Sequence, residues 1–434
     1  MANYPEDLKT QITKMSNYSR SCFKIQNMHS GDVIDGNTLQ FRLPSNSLMD
    51  LSSFAIHAKM ICGPTGGLVG SFKSSHYPNR NLNIVRSMVI EVSNKTVCNI
   101  GHYDKIQDLL LNYSIGEAND KFIYGNTDPR EIVNPAGVKI GMDAHATAGF
   151  SQPIILDRWI SFFSANPSYV DSSITGEIII AIQLVPAAQC PFKNHVTDVN
   201  VNAPSYVLSD IYATITKCQI NDNIYFSSIQ SALAANIPFR MKFNHFENAT
   251  GVTSANQTTS ARMEVQSDSV DKVFFSFMHP SATSKQTTDK DLVCYQSQTN
   301  NHKYLQRSLE DVTSLIFNVN GVSVPAYSMN KPAIYNNLLC DLGCRMDRDG
   351  GFYPLVTKSH HNWAKYFGVA SLSLSHPTAD NSLISGLSFE GTPVSISYKI
   401  TATNTSPEMW DACLTVMTTR VIECYAGRNI IMLK

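Results

Sequence analysis

Val85-Arg86-Ser87-Met88-Val89-Ile90-Glu91-Val92 has a counterpart with the same pattern of side chains in Val312-Thr313-Ser314-Leu315-Ile316-Phe317-Asn318-Val319. The offset is 312 − 85 = 227. Each stretch has the apolar pattern of a strand and continues into a turn and a second short apolar run, which ends near Val97 or Val324. The repeat predicts the same strand–turn–strand unit twice in one chain.

The residues after the two predicted hairpins are also similar. With the offset relaxed by one residue, a polar-capped helix is predicted at 106–111 and again at 334–339. A second match lies upstream, where residues 48–51 resemble residues 208–211 and each stretch leads into a strand. Two matches in the same order indicate a duplicated domain, because a single shared motif would produce only one.

Length and charge narrow the class of protein. A chain of 434 residues exceeds one ordinary core, so two domains of about 200 residues each are expected. Charged residues make up 16%, against about 25% in an average soluble domain, and the net charge is −1. Low surface charge is typical of a protein that neighbouring subunits cover, and the lack of a basic surplus argues against nucleic-acid binding.

Signals for a membrane or an oxidising compartment are missing from the sequence. The longest uncharged apolar run, 178–188, is about half of the ~20 residues that a membrane-spanning helix needs. The first residues do not read as a secretory signal. The ten cysteines are scattered, several of them inside apolar runs, which favours buried reduced thiols and a reducing compartment.

The chain divides into an N-terminal arm (1–24), a first β-rich unit (25–187), a linker (188–204) and a second β-rich unit (205–434). An extended loop insertion is predicted near 248–310, for two reasons. The interval between matched landmarks is 40 residues in the first unit and 107 in the second. In addition, eleven of the 21 residues at 249–269 are Ser, Thr, Asn or Gln, which bury little apolar area.

Short alternating strands, with helices only in connections, predict an all-β fold of two tandem jelly-roll β-sandwiches. A jelly roll buries one face of each strand against the opposite sheet. If three such chains associate, six similar modules surround one axis, and the assembly can tile a surface hexagonally with threefold symmetry.

The sequence contains few residues at the spacings that a metal site requires. The pair Cys340 and Cys344 lies near His360-His361 but has no second ligand pair at zinc spacing, so a helix end with a buried thiol is favoured. The acidic residues Asp341, Asp347 and Asp349 lack the ligand alternation of a calcium loop.

Other motifs lead to the same conclusion. The glycines of 63–67 are not followed by Lys, and Gly-x-Ser-x-Gly is absent, which argues against a phosphate-binding loop and a hydrolase elbow. The tryptophans Trp159, Trp363 and Trp410 are interpreted as core or interface anchors. We therefore predict no enzyme activity, no cofactor, no metal and no catalytic residues.

In this light the chain resembles the double jelly-roll major capsid proteins of tailless icosahedral viruses, the lineage of adenovirus hexon, virophages and polinton-like viruses. Residues 48–54 are similar to the strand entry of such proteins, and residues 385–393 resemble the approach to their final hairpin. The resemblance implies homotrimeric capsomers within a virion, with upright jelly rolls, outward loops, contacts to minor capsid or vertex proteins, and often an internal membrane that the N-terminal arm could approach.

The arm itself is electrically balanced, with four basic and four acidic residues in the first 36: Lys9, Lys14, Arg20, Lys24, Glu6, Asp7, Asp32 and Asp35. Capsid proteins that neutralise a genome directly carry a basic arm, so another component is expected to do so here.

Three alternatives stay open at this stage. A minor or vertex capsid protein could share the fold. A tandem β-sandwich that binds glycans or receptors would present loops such as 248–270. A two-barrel metalloenzyme of the bicupin type would need clustered His ligands, commonly as His-x-His, and the sequence has no His-x-His.

Overall fold

The computed structural model describes residues 18–64, 84–114, 151–186, 193–194, 204–220, 223–252, 259–278, 295–296, 307–309, 312–341, 363–364, 368–375, 386–388, 394–402 and 411–433. Two β-sandwiches follow one another along this part of the chain, which we call the N-terminal and the C-terminal sandwich.

The N-terminal sandwich consists of a six-stranded sheet, in the order β1-β11-β4-β7 with β2 on β11 and β8 on β4, and a four-stranded sheet, β3-β9-β5-β6. Its strands and helices are β1 (Tyr18–Gln26), β2 (Val33–Ile34), β3 (Thr38–Arg42), β4 (Leu48–Pro64), β5 (Val85–Val92), β6 (Lys95–Gly101), α1 (Tyr103–Ser114), β7 (Ser151–Leu156), a 3-10 helix (Ser161–Ser164), β8 (Tyr169–Asp171), α2 (Ser172–Thr175), β9 (Ile178–Leu184), β10 (Lys193–Asn194) and β11 (Pro204–Ile220).

The C-terminal sandwich repeats this arrangement, with a six-stranded sheet β12-β21-β14-β16, in which β19 joins β14 and β22 joins β21, and a four-stranded sheet β13-β20-β17-β18. Its elements are α3 (Asn223–Ala234), β12 (Phe239–Val252), β13 (Thr259–Val265), β14 (Val270–Met278), β15 (Tyr295–Gln296), β16 (Arg307–Ser308), β17 (Val312–Val319), β18 (Val322–Met329), α4 (Lys331–Asp341), β19 (Ala370–Ser373), β20 (Val394–Ala402), β21 (Asp411–Tyr425), a 3-10 helix (Ala426–Arg428) and β22 (Asn429–Leu433). Strands β10 and β15 form a separate parallel pair.

The two sandwiches share one topology. The strands β3, β9, β5 and β6 occupy the same places in their sheet as β13, β20, β17 and β18, and the long strands β4 and β11 match β14 and β21. In both copies the hairpin leads directly into a helix, α1 or α4. The structure therefore confirms the predicted all-β fold of two tandem jelly rolls.

The local sequence explains the repeated hairpin. On β5, Met88, Ile90 and Val92 are buried, because alternate side chains of a strand point to one face, and Val85 is buried beyond a shift of register. Both turns use residues with positive φ, Ser93-Asn94 in the first and Asn320-Gly321 in the second, as tight hairpins require.

Two of the three tryptophans anchor the sandwich interiors, as predicted. Trp159 is buried, and its ring lies 5.9 Å from that of Tyr103 on α1. Trp363 is buried against Tyr335 on α4, with 4.9 Å between ring centroids. Each tryptophan therefore packs on the helix that follows the repeated hairpin. Trp410 lies outside the described residues.

The predicted start of the second unit at residue 205 is wrong. Strand β11 belongs to the N-terminal sandwich, where it pairs with β1, β2 and β4. The two stretches that the sequence comparison matched, 48–51 and 208–211, lie on neighbouring antiparallel strands of one sheet, with Met60 opposite Leu208. Strands of one sheet share the same alternation, so the match reflects strand pattern and not duplication. The duplicate of β11 is β21.

The predicted arm and linker are also revised where the structure describes them. Residues 18–24 are not part of a separate arm, because they belong to β1, which pairs with β11 along the edge of the six-stranded sheet. In the predicted linker 188–204, residues 193–194 form β10 and Pro204 begins β11. Residues 1–17 and most of the linker lie outside the described residues.

The predicted insertion near 248–310 largely disappears once the correct strands are matched. From the start of β4 to the start of β5 is 85 − 48 = 37 residues, and from β14 to β17 is 312 − 270 = 42. The polar stretch contains the end of β12 and all of β13, which tolerates polar side chains because it lies at a sheet edge. Residues 253–258, 279–294 and 297–306 lie outside the described residues.

Candidate assembly surfaces

In the part of the chain that the structure describes, the candidate metal-ligating residues do not come together into a site. No group of three or more His, Cys, Asp or Glu side chains there could hold a metal ion. Of the residues weighed for such a site, Cys340 and Asp341 lie at the end of α4, whereas Cys344, Asp347, Asp349, His360 and His361 lie outside the described residues.

Asp341 has a structural role in the fold. Its carboxylate accepts a hydrogen bond of 2.5 Å from the hydroxyl of Ser371 on β19, and its backbone carbonyl accepts one from Lys272 on β14. Burial raises the pKa of this carboxyl, and the hydrogen bond from Ser371 opposes the shift. The residue thus fastens α4 to the six-stranded sheet.

Among the described residues, the helices are too short or too polar to cross a membrane. The six described cysteines with assigned environments are all free thiols, and Cys98, Cys218 and Cys424 are buried. The prediction of buried thiols holds for these three, whereas Cys22 is exposed and Cys340 and Cys413 are partly buried. The reducing compartment stays a prediction.

The most extensive functional feature is the interface between the two sandwiches within one chain, which we call the internal interface. One side is the helix surface of the N-terminal sandwich, formed by β6, α1 and the 3-10 helix Ser161–Ser164. The other side is the strand surface of the C-terminal sandwich, the outer face of its six-stranded sheet. Six residues from β12, β21 and β22 complete the apolar core of the N-terminal sandwich: Met241, Phe243, Phe246, Ile422, Cys424 and Ile430.

Hydrogen bonds fix the register of this contact. The backbone N–H groups of Asn166 and Lys242 each donate to the other residue's carbonyl, at 2.8 and 2.9 Å. The side-chain amide of Asn248 donates to the carbonyl of Gly101 at 3.0 Å. Lys95 at the hairpin turn donates to the carbonyl of Ile430 at 2.5 Å. Paired backbone groups satisfy their own hydrogen-bonding needs and fix which residues face each other across the interface.

Helix α1 lies between its own sandwich and the second one. Every side chain from Tyr103 to Gln107 is buried. A cavity of about 30 Å³ separates Lys105 and Leu109 of α1 from strand residues that include Arg307 and Cys413. The guanidinium of Arg307 donates to the backbone carbonyl of Lys105. The pKa of Lys105, which is 6% exposed, is lowered chiefly because burial disfavours its charge.

A second charged group at the interface is compensated by an ion pair. Arg420 of β21 donates to Glu247 of β12 at 3.1 Å, and both side chains are largely buried. Burial lowers the pKa of Arg420, while Glu247 raises it. Nearby, burial raises the pKa of the Cys98 thiol to about 11, and the thiol lies 3.3 Å from the hydroxyl of Ser161.

Each sandwich also has the surface that its partner uses in the internal interface, and among the described residues no second sandwich covers these two equivalent surfaces. The helix surface of the C-terminal sandwich is formed by β18 and α4. The strand surface of the N-terminal sandwich is the outer face of β1, β4, β7 and β11. Six of the large apolar side chains that the structure leaves exposed belong to these elements or lie beside them: Phe23, Met28, Ile34, Ile155, Val322 and Tyr327.

The fold agrees with solved viral structures over nearly the whole chain. The PBCV-1 protein VP54, fitted into a cryo-EM reconstruction of the virophage Sputnik, has a TM-score of 0.61 at 11% identity, over 96% of this chain and 97% of that chain. The Sputnik virophage structure has a TM-score of 0.56 at 10% identity, over 96% and 88%. The mavirus major capsid protein has a TM-score of 0.50 at 9% identity, over 95% and 89%.

At such low identity these similarities establish a common fold, the double jelly roll that the sequence predicted. No protein-family model matches the chain, and no curated protein sequence matches it.

The internal interface was not predicted from the sequence. A signal was present in β14, where eight of nine residues are buried because both faces of the strand are covered. Such a continuous apolar run is typical of a sheet packed on both sides, and Val273-Phe274-Phe275 makes it visible in the sequence.

Proposed function

We propose that this protein is a structural subunit of an icosahedral virus shell, in which three copies associate into a pseudo-hexagonal capsomer. The observation that carries the proposal is the duplicated sandwich itself, which shares its fold from end to end with the mavirus major capsid protein. Two equivalent modules per chain give six modules in a trimer, and six similar modules can meet six neighbours.

The low charge and the exposed apolar side chains of the protein are consistent with a subunit that is surrounded by other subunits in a shell. Charged residues are only 16% of the sequence, which suits a molecule whose sides face other subunits. Most of the exposed large apolar side chains that the structure describes lie on strands, where a neighbouring subunit would cover them. We infer in addition that the protein is a component of the virion, where it contacts further capsomers and minor capsid proteins. The lack of a basic surplus supports the inference that another component neutralises the genome.

Mass in solution tests this function. Light scattering coupled to size-exclusion chromatography should give three times 48.0 kDa for the purified protein, and negative-stain images should show discs with six lobes. A particle that stays monomeric at every attainable concentration would contradict the proposal. A stable monomer that instead binds immobilised glycans would favour the tandem-sandwich receptor-binding alternative.

A further inference from the structure

We propose that the cavity at the internal interface binds one halide ion, chloride in physiological salt, and that the bound ion links the two sandwiches. The cavity lies between the first turns of α1 and strands of the C-terminal sandwich. Its wall includes Lys105 of α1 together with Ser276, Arg307 and Cys413 of β14, β16 and β21. A ligand in this cavity would therefore contact both halves of the chain at once.

The wall of the cavity carries buried positive charge. Lys105 is 6% exposed and Arg307 is 2% exposed, so both cations are held away from bulk water. Among the described residues that line the cavity there is no Asp or Glu. A buried charge is stabilised by opposite charge and by hydrogen bonds, so a cavity that two buried cations line favours an anion.

Neighbouring charges leave an excess of positive charge around the cavity. Burial lowers the pKa of Lys105, Asp104 raises it, and Arg86 and Arg307 lower it further. The described groups whose charges act on Lys105 or on the Cys413 thiol are three cations and two carboxylates, including Lys105 itself: Lys105, Arg86, Arg307, Asp104 and Asp411. One negative charge in the cavity would balance this set, which favours a monovalent anion.

The strands supply neutral donors for such an ion. Ser276 is 4% exposed and lines the cavity, and its hydroxyl has no hydrogen-bond partner among the described residues. Cys413 lies opposite Ser276 in the sheet, and burial raises the pKa of its thiol to about 11, so the thiol keeps its proton at neutral pH. A buried hydroxyl without a partner is unfavourable, and an anion would give the Ser276 hydroxyl an acceptor.

Acceptor groups in the wall are already engaged. The hydroxyl of Thr415 donates to Oδ1 of Asn248 at 2.6 Å, and Nδ2 of Asn248 donates to the carbonyl of Gly101. The carbonyl of Lys105 accepts from the guanidinium of Arg307. A bound cation would need free acceptor oxygens, so this arrangement also favours an anion.

The volume of the cavity selects among anions. It measures about 30 Å³, whereas about 10–15 Å³ suffices for one water molecule. A chloride or bromide ion is slightly larger than water and fits, but sulfate and phosphate, with four oxygens around a central atom, do not. Ile106, Leu109 and Met278 line other parts of the wall. These apolar contacts suit chloride and bromide better than fluoride, which is more strongly hydrated.

Urea unfolding at constant ionic strength and fixed protein concentration tests the site, with sodium chloride replacing sodium fluoride stepwise. Above the dissociation constant of a single ion, each tenfold rise in chloride should raise the folding equilibrium constant about tenfold, and bromide should act likewise. Lys105→Met removes the buried charge and should abolish this dependence. Lys399→Met, at an exposed residue of β20, is the matched control and should retain it.

Sulfate separates a bound halide from a general salt effect. Sulfate stabilises folded proteins because it is excluded from their surfaces, so its effect should be equal in the wild-type protein and in Lys105→Met. If chloride also stabilises both proteins equally, or if the wild-type protein does not respond to chloride, the site is overturned.

Direct binding of chloride provides a second readout, which holds even if Lys105→Met does not fold. The NMR line of the chloride ion should broaden when the wild-type protein is added and narrow again when bromide competes. Ser276→Ala deletes only a hydroxyl and should weaken this binding about tenfold, because a hydrogen bond to a charged group is lost. Ser21→Ala, at an exposed serine of β1, should bind as the wild type does.

Equal broadening by the wild-type protein and by Ser276→Ala would overturn the assignment of the ion to this cavity. The test does not require association of copies. Failure of the site would therefore leave the proposed function unaffected, and a monomeric protein that binds chloride would contradict the proposed function alone.

Discussion

The ring of Phe162 meets the ring of Phe243 edge-on, with 5.6 Å between their centroids and 76° between their planes. Phe162 belongs to the 3-10 helix of the N-terminal sandwich, and Phe243 belongs to β12 of the C-terminal sandwich. Both side chains are buried in the same apolar cluster. The two jelly rolls of one chain therefore share part of their core, so they are not independently packed domains.

Replacement of Phe243 by Ala should remove this shared packing. We expect a loss of about 3–5 kcal/mol in the free energy of unfolding, because the cavity opens inside a closed core. Urea titration followed by circular dichroism measures the change. Ile237→Ala, just before β12 at a side chain that is half exposed, is the control and should change stability little. A Phe243→Ala protein as stable as the control would show that the two cores are separate.

The ion pair of Arg420 and Glu247 should stabilise the internal interface. Glu247→Gln leaves the buried guanidinium with a neutral partner, so we expect a loss of about 1–3 kcal/mol. The ion pair of Arg262 and Glu264, 2.9 Å long and well exposed, is a matched control, and Glu264→Gln should have almost no effect. Equal effects from the two substitutions would argue that burial of Arg420 does not govern its contribution. A double-mutant cycle with Arg420→Met isolates the pairwise energy.

Thiol chemistry should separate the cysteines by position. Burial raises the pKa of Cys98 to about 11 and that of Cys424 to about 12, so at pH 8 only about a thousandth or less of either is thiolate. Cys22 on β1 is exposed. Iodoacetamide at pH 8 followed by peptide mass spectrometry should label Cys22 within minutes and leave Cys98 and Cys424 unmodified until the protein unfolds. Rapid labelling of Cys98 in the folded protein would contradict its enclosure by β12.

Two glycines offer a direct test of close packing. A Cβ atom on Gly368 would lie 2.6 Å from the backbone nitrogen of Leu309 and 2.8 Å from the carbonyl oxygen of Ala364. Gly368→Ala should therefore cost about 1–3 kcal/mol, since backbone must move to admit it. Gly101→Ala is the matched control, because no atom lies within 4 Å of its added Cβ. Chemical denaturation of both variants compares the two, and a neutral Gly368→Ala would contradict the packing.

Much of the fold could be predicted from the sequence, because the repeated hairpin is encoded locally. The alternation at 85–92 and 312–319, the turn residues Asn94 and Gly321, and the helices that follow are all short-range signals. These are the elements that the structure confirms.

The boundary between the sandwiches could not be predicted in the same way. Residues 204–220 alternate like any strand, and only their pairing with β1 and β4 assigns them to the first sandwich. Pairing partners are far apart in sequence, and alternation is the same for every candidate partner. Because residues 208–211 were assigned to the second unit, the interval counted from them was too long, and an insertion near 248–310 was predicted.

The candidate assembly surfaces could not be predicted from the sequence, because they were found by comparing the burial of α1 with that of α4. The sequences of α1 and α4 do not reveal which helix is covered, since burial from outside a module depends on its neighbour. Lys105 illustrates the difficulty, because a charged side chain on a helix is normally exposed, whereas here the second sandwich encloses it.

The ammonium of Lys95 reaches the carbonyl of Ile430 across 335 positions of sequence, and the side chains of Ile422 and Ile430 complete the first core. A ribosome that has synthesised the whole N-terminal jelly roll therefore still holds a chain whose first core is unfinished. Contacts of such long range fold slowly. A chain truncated before β21 is therefore expected to leave apolar side chains of the first core uncovered and to aggregate.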